Sequence, residues 1–148
     1  MPNHDLDPEQ IRDFRALAGM IIPTSQSYDV PGADDEKIFS DILRSLERDR
    51  GDICRALADL AALSGGAFAE LEPSRCAEVA GRFREAGGAP LAALVRVVLL
   101  CYYRDDRVMR SLGQEPRPPF PKGHVVEQGD WSLLDPVRAR PSMVRRVD

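Results

Sequence analysis

Histidine is nearly missing from this chain of 148 residues: only His4 and His124 occur, one near each end. A proton-shuttling or nucleophile-activating site therefore lacks its commonest base. Ser25, Ser27 and Ser64 also lack the strand–turn–helix setting of an activated serine. His124 lies three residues before Glu127, and a lone histidine there reads as a hydrogen-bonding surface residue. Cysteine is equally sparse. Cys54, Cys76 and Cys101 stand singly, without the CxxC spacing of a metal or redox site, and a cluster built from them needs a fourth ligand. They are read as small core residues in a reducing compartment. No basic excess exists either. The formal charge is −4; residues 114–148 hold 6 Lys/Arg against 5 Asp/Glu, leaving 14 and 19 for residues 1–113. Neither part is a phosphate-tracking surface, which argues against nucleic acid as a partner.

Long apolar runs and strand patterns are missing too. The most apolar stretch, Ala89 to Tyr103, contains Pro90 and Arg96 and is too short to cross a bilayer, so no membrane span is expected. No period-2 run is long enough for a strand. Gly65-Gly66 and Gly87-Gly88 are helix stops rather than phosphate-cradling loops. No signal peptide or twin-arginine leader precedes the first helical pattern. The expected location is cytoplasmic, or periplasmic only if an exported partner carries the chain.

What is present is helical periodicity, organised around residues 17–43. Phe14, Ala18 and Ile21 continue one apolar stripe until Pro23 stops it. Pro31-Gly32 is expected to make a turn, and Ala33 to open a second helix running to Arg48. Asp34, Asp35 and Glu36 then lie in its first turn, where carboxylates suit the positive end of the helix dipole. Phe39, Ile42, Leu43 and Leu46 form its buried stripe. The first helix should begin at Pro8, with Asp7 as N-cap and Gln10 three residues on. Gly51-Asp52 is expected to break the second helix and cap a third, which ends at Gly65-Gly66 and buries Ile53, Leu57, Leu60 and Ala61. Phe68 and Leu71 should fold back onto the core. A fourth helix starts at Pro73 and stops at Gly87-Gly88. The fifth, Pro90 to Tyr103, is apolar almost all round, which places it in the middle of a bundle or between a bundle and a partner. One of Tyr102 and Tyr103 is expected to brace the turn after it. A short sixth helix, Asp106 to Leu112, closes at Gly113. The fold expected is all-α: a small bundle of five to six helices over residues 1–113.

Residues 114–148 change character. Pro116, Pro118, Pro119, Pro121, Pro136 and Pro141 are half of the chain's 12 prolines, and the segment is expected to be extended. It also carries Phe120, Val125, Val126, Trp131, Leu133 and Leu134, side chains a bland linker has no use for. With Pro119, these residues are read as a partner-binding arm whose aromatics anchor in a partner's pockets. Packing of the tail on its own helical body is the competing arrangement, and disorder a third.

Two stretches carry a resemblance. Ile21-Ile22-Pro23, a short polar loop, then Pro31-Gly32-Ala33-Asp34 and a helix resemble the opening of the gluconate 2-dehydrogenase subunit 3 family. Tyr102-Tyr103-Arg104-Asp105-Asp106-Arg107-Val108, ending at Leu112-Gly113, is similar to a YY-x-D-x-R-V segment that closes on Gly in that family. The resemblance covers residues 10–113. It implies a small helical subunit that accompanies an FAD-dependent sugar, glycoside or alcohol dehydrogenase. In such complexes a large subunit of the glucose–methanol–choline oxidoreductase type binds FAD and carries the proton-accepting histidine. By that resemblance this chain holds no catalytic residue, cofactor or metal of its own, and serves stability, folding or delivery of the large subunit in a hetero-oligomer. Many members carry an export signal, which this chain does not show, and the Pro-rich tail is a further departure; both bear on the escort role more than on the subunit role. Two other readings stand beside it. One is a free-standing helical adaptor or regulatory protein that binds through its C-terminal arm; the other is an independent enzyme using the Thr24–Asp29 loop and His124.

Overall fold

The computed structural model describes residues 6–118, 120, 123 and 127–141, and every regular element among them is helical. They are α1 (Pro8–Ile21), α2 (Glu36–Arg44), α3 (Arg50–Ser64), α4 (Pro73–Ala86), α5 (Ala89–Tyr103), α6 (Asp106–Ser111) and α7 (Asp135–Arg138), with 3-10 turns at Glu47–Asp49, Phe68–Glu70 and Trp131–Leu134. The chain divides into two compact units, Met1–Pro116 and Arg117–Asp148. Among the described residues no single helix is long and apolar enough to cross a membrane.

In the first unit, α1 starts where its caps dictate. The Asp7 carboxylate accepts from the Gln10 backbone N–H at 2.8 Å, and the Gln10 side chain accepts from the Asp7 N–H at 3.0 Å. This capping box satisfies two otherwise unpaired donors. Gly65 ends α3 in the left-handed conformation (φ 74°), which costs a glycine little. The two central helices are α3 and α5: α3 packs on α5, α4 and α1, while α5 also packs on α2 and α6. Phe14 of α1 meets Phe39 of α2 edge to face, with ring centres 5.5 Å apart. Ile53, Leu60, Val79, Leu94 and Val98 complete a core that excludes water, and Phe68 folds back into it as its position predicts. Cys101 is buried among them, Cys54 and Cys76 are half-buried, and none of the three is in a disulfide.

Three local expectations need correction. Helix α2 begins at Glu36, not Ala33, and ends at Arg44, not Arg48. Ala33 is instead fully buried in the preceding loop, where its N–H donates to the Ile22 carbonyl at 2.8 Å. The break between α2 and α3 falls at Ser45–Asp49 rather than at Gly51. There Leu46 plugs into the core and the chain tightens into a 3-10 turn, while Gly51 lies inside the first turn of α3. Finally, of the two placements expected for α5, the one in the middle of the bundle does not hold on all sides. Ala93, Leu94, Val97, Val98, Cys101 and Tyr102 are buried, yet Leu99 is 38% exposed and Leu100 60%.

The second unit is not extended throughout. The Asp130 side chain accepts from the Ser132 N–H at 3.0 Å and starts a 3-10 turn over Trp131–Leu134 that runs on into α7, with Pro136 in its first turn. The Trp131 indole N–H donates to Gln128 Oε1 at 3.2 Å. Upstream, the Arg117 guanidinium donates to the Gly123 carbonyl at 2.7 Å.

Candidate partner-binding surface

The loop between α1 and α2 is built by short backbone bonds. Ser25 and Val30 exchange N–H···O bonds of 3.0 and 3.1 Å, closing a tight turn over Gln26–Asp29. Asp29 takes a positive φ of 50°, which its short polar side chain tolerates. The Thr24 hydroxyl also donates to the Val30 carbonyl, at 3.1 Å. The main reversal thus lies at Gln26–Asp29. The turn expected at Pro31-Gly32 falls one step later, with the Asp35 N–H donating to the Gly32 carbonyl at 3.1 Å around Ala33-Asp34, and Gly32 itself is also a point of close approach. A Cβ on Gly32 would collide with the Asp34 carboxylate and sit 3.0 Å from the Thr24 nitrogen and 3.2 Å from the Ile22 oxygen.

Residues from the far end of the unit hold this loop in place. The Tyr102 hydroxyl donates to the Pro31 carbonyl at 3.1 Å, so it braces the earlier loop rather than the turn after it. Ser111 donates to the Tyr28 carbonyl at 3.1 Å, and Arg15 Nε to the Asp34 carbonyl at 2.9 Å. The strongest tie is Arg107. Its guanidinium is bidentate on Asp35, with Nη2 to Oδ1 at 2.6 Å and Nη1 to Oδ2 at 3.2 Å, and it also donates from Nε to Asp105 Oδ1 at 2.9 Å. Asp35 simultaneously caps α2, accepting from the N–H groups of Lys37 and Ile38. Asp105 is buried and caps α6 through the Arg107 N–H, with Lys37 Nζ at 3.7 Å.

The electrostatics follow from the contacts. The Arg107 hydrogen bond is the largest influence on Asp35 and holds its carboxyl below the usual range. For Asp105 burial pushes upward, but the bonds from Arg107 outweigh it and the net shift is downward. Arg107 is held protonated more firmly than usual by both carboxylates. Burial, then Tyr103 and Asp105, raise the Tyr102 phenol. A clamp of this kind has no poised proton to give or take near neutrality; its work is to fix backbone.

Of the motif residues expected from the sequence, the structure brings Pro31, Gly32, Ala33, Asp34, Tyr102, Asp105 and Arg107 into this one cluster. Pro23 stands outside it on the surface, and Gly113 (φ 73°) ends α6. Tyr103 points away from the cluster, half exposed, with its ring edge-to-face on Tyr102. Among the described residues no group of three His, Cys, Asp or Glu is placed to hold a metal. The loop does border a cleft with Arg110 and Ser111, but the cleft is open to solvent and its Arg107 is already committed.

The surface best suited to a large ligand lies on the outer side of α5. Ala92, Val95, Leu99, Leu100 and Tyr103 recur at helical spacing along one face. Val95 also belongs to a neighbouring apolar groove between α1 and α4, walled by Met20 and Leu91. Contiguous exposed apolar surface of this sort marks interaction sites. Of the tail residues read as partner-binding, Phe120 is 85% exposed, Trp131 61% and Leu133 74%, with Leu134 less so. Pro119, Val125 and Val126 lie outside the described residues, as does His124.

No family model, curated protein or solved structure matches this chain. Sequence reasoning allowed α5 to lie between the bundle and a partner but named none of its residues as partner-binding. The available signal was the pair of arginines, Arg96 and Arg104, in an otherwise apolar helix: eight residues apart, they mark the side that meets water.

Proposed function

We propose that this chain is a non-catalytic small subunit that stabilises an FAD-dependent dehydrogenase of the glucose–methanol–choline type, acting on a sugar, glycoside or alcohol. The observation that carries the binding role is the outer face of α5, where Leu99, Leu100 and Tyr103 are presented to solvent by a helix anchored on its other side in the core. Holding such side chains in water is unfavourable, by about 25 cal/mol for each Å² of apolar area a partner would cover. The identity of the partner rests on the resemblance of residues 21–34 and 102–113. In this reading FAD and the proton-accepting histidine belong to the large subunit, and Phe120 and Trp131 of the tail provide a second contact with it.

Coexpression with a flavoprotein of that type encoded nearby, followed by size-exclusion chromatography and a flavin absorbance spectrum, tests the proposal. Coelution with flavin absorbance, lost on Leu100→Asp, supports it. Trp131→Ala should weaken the complex by about 2 kcal/mol if the arm is an anchor. Separate elution of the two proteins at micromolar concentration defeats the subunit reading and leaves the free-standing adaptor.

A further inference from the structure

The α5 face and the α1–α4 groove meet at Val95 and form one apolar strip. Its charge is one-sided. The residues lining the two parts include Arg84, Arg96 and Arg104 but no Asp or Glu, on a chain whose formal charge is −4. Two of these guanidinium groups are held in place from behind: Arg96 by Asp49 at 2.8 Å, and Arg104 by Asp41 at 2.6 Å and the Ser45 hydroxyl at 2.6 Å. Neither carboxylate lines the strip, and each guanidinium carries five N–H donors, so donors remain for a ligand. Arg84 makes no ion pair among the described residues. Gly81 opens the groove floor, because a Cβ there would meet no atom within 4 Å.

We infer that this strip is a docking groove for an amphipathic helix of a partner protein whose apolar stripe is edged by Asp and Glu. The shape favours a helix: the strip is a ridge of α5 side chains beside a groove floored by small residues, into which a second helix's ridge fits. The rim favours acid, since carboxylates meeting fixed guanidinium groups gain charge-assisted hydrogen bonds and a basic edge is repelled. This deepens the subunit reading, on which it rests for there being a protein partner, by naming the element that partner must supply.

The test uses the full chain and two labelled helical peptides of about five turns. Both carry leucines at i, i+3, i+4 and i+7; one has glutamate along both edges, the other lysine. Fluorescence anisotropy should show the glutamate peptide binding about tenfold tighter at low salt, a gap that three rim pairs of ordinary strength provide and that salt closes. Arg84→Glu should narrow the gap. Leu100→Asp, or Leu100→Ser if the first variant loses its helical circular dichroism, should abolish binding of both peptides. Equal or tighter binding of the lysine peptide, or no binding of either, overturns the inference. So does self-association that Leu100→Asp removes, or preferential binding to phosphatidylglycerol vesicles, because the strip would then face a second copy or a lipid surface. No flavoprotein is present in this assay, so its failure leaves a copurifying complex standing, and loss of that complex leaves peptide binding standing.

Discussion

Replacing Arg107 with Ala is the sharpest probe of the clamp that holds the loop to the end of the bundle. The substitution strands Asp105, whose side chain is 4% exposed, and removes the bidentate partner of Asp35. Removing one member of a fully buried pair costs about 3–5 kcal/mol. The cost here is lower, because the Arg107 side chain is 39% exposed and Asp105 keeps Lys37 at 3.7 Å and a backbone N–H. A loss of about 2–3 kcal/mol at neutral pH is expected, read by urea unfolding followed with circular dichroism. The pH dependence provides the check. Both carboxyl groups are held below the ordinary aspartate value of 3.8 in the folded protein, Asp35 chiefly by the Arg107 hydrogen bond and Asp105, against its burial, by the Arg107 bonds that outweigh it. Their contribution is therefore fully present above the unfolded value and disappears as pH falls through the folded values. The gap between wild type and Arg107→Ala should be constant near neutrality and shrink below about pH 4. A loss under about 0.5 kcal/mol at pH 7, or a gap unchanged at about pH 2, refutes the clamp.

The two sides of α5 should respond oppositely: Leu94→Ala should cost about 2–5 kcal/mol, while Leu100→Asp should stay within about 0.5 kcal/mol in the isolated chain, both measured by urea titration. Asp13 is buried and accepts from the Ala69 N–H at 2.8 Å, tying α1 to the Phe68–Glu70 turn, so Asp13→Ala should lose about 1–3 kcal/mol in the same assay. Gly32→Ala should destabilise by about 1–3 kcal/mol through steric crowding; a thermal melt indistinguishable from wild type would show that the loop can yield.

Where helix limits depend on neighbours in sequence, they were legible. Asp7-Pro8 with Gln10 places the start of α1, Pro73 that of α4, and Gly65 the end of α3, because each acts through a local bond or a fixed dihedral. The start of α2 was not legible for the opposite reason. Asp34 and Asp35 are both competent caps, and Arg107, 72 residues away from Asp35, engages the second. Gly32 does open a turn, since its carbonyl accepts from the Asp35 N–H, yet its backbone needs no positive φ; what the glycine supplies is space. The outer face of α5 was hard to place because a helix that is apolar nearly all round has only a weak amphipathic signal, carried here by Arg96 and Arg104 alone. The Pro-rich composition of the tail likewise pointed to extended chain, while Asp130 and Pro136 make a helical start at Trp131–Arg138.

The clamp also sets an order of events. A contact spanning 72 residues costs loop-closure entropy that only prior structure can reduce. Pairing of α3 with α5 draws Asp35 and Arg107 toward one another before any bond between them can hold, so the clamp belongs among the late steps of folding. The same reasoning runs backwards in the native protein. The segment from Asp105 to Gly113 and the loop it grips should open together as one cooperative patch, ahead of the α3–α5 centre, and native-state hydrogen exchange would register them as a shared, less protected group. A partner that covers the outer face of α5 would then bear on a helix whose C-terminal neighbour lets go before the α3–α5 centre does.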